Sequence, residues 1–374
     1  MQKTLPRIAL ITPRYRPAIG GIERHVERVA TGLLSRGYEV DVLATDPSGK
    51  LPPVESLDGV TVRRFPTLLD DATYFVSPRL LRWLWANADR YALLHAHNYQ
   101  TLMPVIGWQT ARHHRLPLVV TPHYHGTGHT PFRAILHVPY RPIGSRSMRA
   151  ADVVIANSLA EAGWIERDFG VTPRFIPNGV DVPGSEVTAP DMDPREVSLL
   201  AVGRLERYKQ VQRIVTALPY LPAEQVLTVI GEGPAMAEVE QEAIRLGVSD
   251  RVRMRGHVSA AALAGHYARA DLFVSLSREE SFGMTLLEAA AAGAPVLASD
   301  IPAHREIKEY AGPGRIALVP AETASGPLAA AMQAQRSVGK SVDRAGWHLP
   351  TWEANADAVA AIYRHIAESR PSQA

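Results

Sequence analysis

Glu280 and Glu288 are two glutamates separated by seven residues, and between them Ser281-Phe282-Gly283-Met284-Thr285 reads as a turn entering a helix that runs through an Ala-rich stretch to Gly293. Free amides from Ser281 to Met284, together with the dipole of that helix, suit a phosphate. Glu288, about two turns further in, can accept a bidentate hydrogen bond from vicinal ribose hydroxyls, while Glu280 at the loop can reach a sugar ring. A surface capping box would explain neither Phe282-Gly283 nor the apolar run. Upstream, Arg204 and Lys209 lie five residues apart in Gly203-Arg-Leu-Glu-Arg-Tyr-Lys209, between an apolar run and a helical stretch. A guanidinium and an ammonium so placed can hold a diphosphate, the first bidentately and the second as a point charge. A solvated basic loop is the bland alternative.

In the first half, Gly20-Gly21 opens a helix after the first apolar run, where backbone N–H groups can approach a phosphate. The dinucleotide fingerprint G-x-G-x-x-G is met neither there nor at Gly231-Glu-Gly233, which disfavours a nicotinamide enzyme. His123 ends the run LPLVVTPH, at a position that should face a cleft between domains. H-x-H occurs twice, at His95/His97 and His123/His125, with His129 nearby. The spacing admits a metal, but no acidic partner is evident, so no metal is expected. Asp191-Met-Asp193 spells D-x-D inside a Pro-rich linker and reads as incidental.

These residues need a scaffold. Apolar runs at 7–12, 39–44, 60–64, 92–95, 117–121 and 152–156 alternate with stretches of helical period. The clearest of these is the stripe Ile22, Val26, Val29, Ala30, Leu33, Leu34, ended by Gly37. The rhythm restarts after a stretch from Pro183 to Pro194 with three prolines, in runs at 198–202, 226–230, 252–255, 272–276 and 295–299. The pattern predicts an α/β protein of two Rossmann-like domains facing an interdomain cleft, residues 1–183 with 351–374 and residues 184–350. In such sheets ligands bind beyond the strands' carboxyl ends, which is where Gly20-Gly21, His123, Arg204, Lys209 and Glu280 fall.

The 374 residues suit two domains, and 46% apolar against 21% charged residues is ordinary for a folded chain. Without cysteine, thiol catalysis, disulfides and thiolate metal sites are excluded. The N-terminal apolar run before Pro13 is far short of a signal-peptide core, so a cytoplasmic protein is expected. Net charge is +2, yet residues 1–150 carry 19 Lys+Arg against 10 Asp+Glu and the remainder 21 against 28. The balances are +9 and −7. A basic first half suits an anionic partner, and Arg133, Arg141, Arg146 and Arg149 are its candidates.

In order along the chain, Gly20-Gly21, Thr121-Pro122-His123, Ile155-Ala156-Asn157-Ser158, Ile176-Pro177-Asn178-Gly179, Gly203-Arg204 with Lys209, Gly231-Glu232-Gly233 and Glu280 through Glu288 resemble the retaining glycosyltransferases of family four, of GT-B fold. The resemblance implies that Arg204, Lys209 and the amides of Phe282, Gly283 and Met284, with Thr285 beside them, hold a donor diphosphate. It places Glu288 on the ribose, Glu280 on the donor sugar, and backbone at His257 and Val258 on the base. Gly21 would approach the donor phosphate, and His123 would act at the reacting centre. Tyr15, Tyr124 and His125 are the acceptor-side candidates. The helix from Trp352 would return to the first domain.

The implied reaction moves a hexosyl group from a UDP- or GDP-linked sugar to a hydroxyl, with no cofactor or metal, in a cell-envelope glycan or lipid-linked precursor. A natural product or sugar phosphate as acceptor, an epimerase on the same fold, and a non-catalytic basic module are the competing readings. Peripheral contact with the inner membrane face is compatible with the charge split. Nucleic acid is not expected as a partner, because the basic residues lack interleaved aromatics. Ser299-Asp-Ile-Pro-Ala-His-Arg-Glu306 departs from the family's glycine-rich segment, which bears on donor-sugar preference.

Overall fold

A computed structural model describes residues 6–68, 74–126, 131–181, 198–341, 343 and 347–369, the segment 131–137 by its backbone alone. The Pro183–Pro194 stretch with Asp191 and Asp193, His129, and the Arg133 side chain lie outside the described residues. The chain forms two compact units, Met1–Gly179 with Thr351–Ala374, and Val180–Pro350.

The first unit is built on β1 (Arg7–Thr12), β2 (Glu39–Asp46), β3 (Val54–Leu57), β4 (Val60–Pro66), β5 (Leu93–His97), β6 (Leu118–Thr121), β7 (Val153–Ala156) and β8 (Arg174–Phe175), in the spatial order β3-β4-β2-β1-β5-β6-β7-β8. Among the described pairings only β3–β4 is antiparallel. Helices α1 (Gly21–Ser35), α2 (Pro78–Asn87), α3 (Met103–His114), α4 (Pro131–Arg149) and α5 (Leu159–Phe169) connect the strands. Central strands covered on both faces must be apolar throughout, and Ile8 to Ile11 are at most 1% exposed. The stripe expected on α1 is its core face, for Val26, Val29, Ala30 and Leu33 are fully buried.

The second unit has β9 (Leu199–Val202), β10 (Leu227–Ile230), β11 (Val252–Met254), β12 (Leu272–Ser275), β13 (Val296–Ser299) and β14 (Ile316–Val319), in the order β11-β10-β9-β12-β13-β14, with these strands parallel in every described strand-to-strand pairing. Its helices are α6 (Val211–Ala217), α7 (Met236–Arg245), α8 (Ala260–Arg269), α9 (Met284–Ala291), α10 (Pro302–Tyr310) and α11 (Ser325–Arg336). The chain then returns through α12 (Trp352–Ser369), which packs on α1 of the first unit. There Arg36 pairs with Asp357 at 2.8 Å, and Asn355 donates to the Pro177 carbonyl at 2.8 Å.

Strand order reverses between β1 and β5 in one sheet and between β9 and β12 in the other. At such switch points adjacent loops leave in opposite directions and open a crevice at the carboxyl ends. The loops at the two crevices carry Gly20-Gly21 and Asn98 in one unit, and Arg204, Lys209 and Ser277–Gly283 in the other.

Candidate active site

In the second unit the β9 and β12 loops meet through one ion pair. Lys209 Nζ donates to Glu280 Oε1 at 2.5 Å, and Ser277 Oγ donates to the same oxygen at 2.8 Å. Both charged side chains are mostly enclosed, 16% and 14% exposed. Burial works against each charge. Nevertheless the Lys209 ammonium, His304 and the hydrogen bonds from Lys209 and Ser277 hold the Glu280 carboxyl below its ordinary range, and the Glu280 carboxylate chiefly holds Lys209 above its own. Arg204, half exposed, lies 3.3 Å from Glu206. Three residues after Glu280 the chain turns at Gly283, whose φ of 103° is a conformation that side chains with a Cβ rarely adopt. Gly283 is the N-cap of α9, and no side chain caps that helix. First-turn amides at an uncapped N-terminus are donors available to an anion.

Glu288 lies inside the second turn of α9, 5% exposed, where Tyr267 on α8 donates to its Oε2 at 3.0 Å. His257 follows β11, half exposed and 3.6 Å from Glu232, with half-buried Val258 packed at the edge of the core. Gly231 serves packing rather than a phosphate cradle: a Cβ there would sit 2.1 Å from the Gly203 carbonyl, so glycine lets the β9 and β10 loops touch. His304, not anticipated as a site residue, is fully buried. Its Nδ1 donates to the Ser299 carbonyl at 2.8 Å, and its ring lies 3.6 Å from where a Gly283 Cβ would stand. It comes from the segment that departs from the family pattern.

In the first unit His123 follows β6 with φ 48°, a left-handed turn that histidine tolerates better than branched residues. It is 7% exposed, and Asn157 Nδ2 contacts its Nδ1 at 3.1 Å. Two further imidazoles join it. His97 on β5 stacks at 5.7 Å between ring centroids, and His25 from α1 meets it edge-on at 4.8 Å. His25 Nδ1 donates to Asn178 Oδ1 at 2.6 Å. Burial pushes His25 down to about 4 and holds His97 and His123 well below the usual imidazole range, so all three are neutral near pH 7. Beneath them His95 bonds the Tyr363 hydroxyl of α12 at 2.6 Å and Thr121 Oγ1 at 2.8 Å. The H-x-H spacing picked out His95 and His97; His25, seventy residues earlier, gave no signal of its own.

Glu161, also not foreseen, aligns the His123 loop. Ser158 caps α5 by accepting from Glu161 N at 2.9 Å, and the Glu161 carboxylate accepts from Tyr124 N at 2.6 Å and Asn157 N at 2.7 Å. One buried carboxylate thus ties the β6 and β7 loops together, a variation on the capping box. Gly21 begins α1 with open space where a Cβ would be. Of the acceptor-side candidates, Tyr15 is 3% exposed in the core, and Tyr124 is 5% exposed with its hydroxyl donating to Asp168 Oδ2 at 2.7 Å. Half-buried His125 is within 3.0 Å of Gln100 Nε2. The two tyrosines are therefore held by packing, and His125 alone of the three is more than marginally accessible.

Known proteins share this architecture. The model of Glycosyltransferase Family 4 matches residues 19–182, and that of Glycosyl transferases group 1 matches residues 189–332. The chain is 31% identical over 327 residues to a glycogen synthase of Mycobacterium tuberculosis, covering 79% of this chain and 78% of that protein. It is 30% identical over 391 residues to a D-inositol 3-phosphate glycosyltransferase of Geodermatophilus obscurus, covering 93% and 85%. The solved sucrose-phosphate synthase of Thermosynechococcus elongatus superposes with a TM-score of 0.79 at 23% identity, covering 98% of this chain and all of that one. Anabaena HepE in complex with UDP-glucose does so at 0.69 and 20%, covering 97% and 99%. The chain belongs to glycosyltransferase family 4, has the GT-B fold, and is a nucleotide-sugar-dependent hexosyltransferase.

Proposed function

We propose that the enzyme transfers a hexosyl group from a UDP- or GDP-linked sugar, with retention of configuration and without a divalent metal, and that the second unit holds the donor. The observation that carries this reading is the Lys209–Glu280 pair at the switch point of the second sheet, with Arg204 on the same β9 loop and the uncapped α9 N-terminus three residues beyond Glu280. As the anomeric C–O bond breaks, negative charge gathers on the leaving diphosphate. Fixed cations and amides aimed there lower the barrier most, and they take the part a metal would play. Glu288 takes the ribose, His257 and Val258 the base, and Glu280 the donor sugar, with Phe282, Met284 and Thr285 lining the phosphate side. In the first unit Gly21, which opens α1 with free space around it, takes a phosphate-side role by the family resemblance, and neutral His123 orients or polarises a hydroxyl.

The test is transfer from UDP- and GDP-hexoses with and without EDTA. Activity should survive EDTA, and Lys209→Ala or Arg204→Ala should lower kcat/KM on the order of 10²- to 10³-fold in a folded protein. Activity abolished by EDTA and restored by magnesium or manganese contradicts the metal-free reading.

For the acceptor, the reading is a cell-envelope glycan or lipid-linked precursor met at an acidic membrane. It is supported by a cavity of about 590 Å³ in the first unit, lined by Arg112, Arg115, Arg146 and Arg149 with Trp108 and Leu116. Leu118 and Asp152 also line it, at the amino ends of β6 and β7, the sheet edge opposite His97 and His123. An anion held there is held away from the chemistry, as a docked membrane surface would be. Among the described residues no helix is long and apolar enough to cross a membrane. The second reading, a small phosphorylated acceptor, is favoured by the inositol 3-phosphate named for the relative above.

A further inference from the structure

We propose that His25, His97 and His123 form a binding site for a single borderline-soft divalent transition-metal ion, Zn²⁺ being the type. One nitrogen from each lies within 4.8 Å of the others, on three elements the fold brings together: the second turn of α1, the end of β5 and the turn after β6. Imidazoles bound through nitrogen at about 2.0–2.1 Å to one tetrahedral ion place their ring centroids roughly 5 Å apart. The three separations here are 4.8, 5.4 and 5.7 Å. An ion therefore requires small ring adjustments rather than a new backbone.

The hydrogen bonding agrees. His25 Nε2, both nitrogens of His97 and His123 Nε2 are buried without a partner among the described residues, in an interior where nearly all polar atoms are paired. Asn178 Oδ1 can only accept, so it fixes the proton of His25 on Nδ1 and leaves the Nε2 lone pair pointing away, as the outer partner of a metal-bound histidine does. Asn157 contacts His123 Nδ1 through its amide nitrogen, while its Oδ1 lacks a partner. Turning that amide end for end presents the oxygen to Nδ1–H and frees Nε2 in the same way. A neutral all-imidazole set suits Zn²⁺, Co²⁺, Ni²⁺ or Cu²⁺ and not Mg²⁺ or Ca²⁺. Three ligands leave a fourth position for water, reached past His123, the most exposed of the three at 7%.

This ion is distinct from the metal-free donor clamp. Because it engages His123 Nε2, bound Zn²⁺ should inhibit transfer, a consequence that rests on the role given to His123 above.

The experiment titrates Co²⁺ into the metal-stripped protein and follows the visible ligand-field absorption. The proposal expects an intense low-symmetry band that saturates at one equivalent and is displaced by Zn²⁺. It also expects Tm to rise with Zn²⁺ through binding to the folded state. His25→Ala and His97→Ala should each weaken Co²⁺ by more than the 10- to 100-fold, roughly, that loss of an outer partner costs. His113→Asn, on the exposed face of α3, should leave binding unchanged. No stoichiometric band and no Tm rise in the wild type, or a band that persists in both alanine variants, overturns the site. If the alanine variants do not fold, the wild-type band and Tm shift decide alone. Stoichiometric binding with transfer unaffected keeps the site and removes His123 from the reaction.

Discussion

Lys209 and Glu280 show how one pair can serve both stability and binding. Each is a charge mostly withdrawn from water, and each is tolerated because the other lies 2.5 Å away. Removing one partner of such a pair strands the other charge and costs about 3–5 kcal/mol, whereas removing both costs far less. Glu280→Gln should therefore lower Tm more than the double variant Lys209→Met/Glu280→Gln, as thermal unfolding will show; equal or reversed Tm values contradict the pairing. The pH dependence follows from the directions of the shifts. Glu280 is depressed, so its contribution is present above the unfolded carboxylate value of about 4.3 and is lost as pH falls through the lower folded value. Lys209 is raised, so its contribution is present below about 10.4 and is lost only as pH climbs through the folded value above that. The stability gap between wild type and double variant should be flat between those limits and close below about pH 4. At this scale the sequence was legible wherever a residue acts from a strand's end. Glu280, Lys209 and His123 stand out by their spacing from apolar runs. His25, Glu161, Tyr267 and His304 did not, because each matters through a partner distant in sequence.

The elements that position these residues were read from periodicity, and the outcome follows burial. Strands buried on both faces were located to within one or two residues. Three were not foreseen: β3, a half-exposed edge hairpin, β8, only Arg174 and Phe175, and β14, a short run at the sheet's edge. β3 (VESL) and β8 (RF) carry no unbroken apolar run, so their signal is weak; β14 (IALV) carries a short one that was passed over. The joint made by Glu161 gives the element-scale prediction. Its carboxylate receives two backbone N–H groups, one from each loop, and an amide in its place offers a single acceptor and turns donors toward donors. Glu161→Gln should destabilise the protein by about 1–3 kcal/mol. Under the transfer reading it should also lower kcat, because the Tyr124 amide it releases adjoins His123. Equal denaturation midpoints for variant and wild type contradict the structural part. A lowered midpoint with full kcat contradicts the positioning part.

Across the whole molecule the charge split has a physical location. Arg141, Arg146 and Arg149 lie exposed on α4, the last two around the basic cavity with Arg112 and Arg115, and exposed Trp85 stacks on His113. Exposed charges attract an anionic surface over about one Debye length, roughly 8 Å at physiological salt, so the attraction must weaken as salt rises. Co-sedimentation should show binding to vesicles of acidic lipid and not of neutral lipid, fading with salt and lost in Arg112→Gln/Arg146→Gln/Arg149→Gln. Binding indifferent to lipid charge leaves these arginines as a solvated face. If Lys209 and the α9 N-terminus form the diphosphate site proposed for the second unit, the thermal shift of the chain with UDP, GDP and ADP against the matching monophosphates reads it directly. At least one diphosphate should raise Tm well beyond its monophosphate, without added metal, and Lys209→Ala should abolish the difference. Equal shifts for mono- and diphosphate, or an undiminished diphosphate shift in a folded Lys209→Ala protein, would contradict that site.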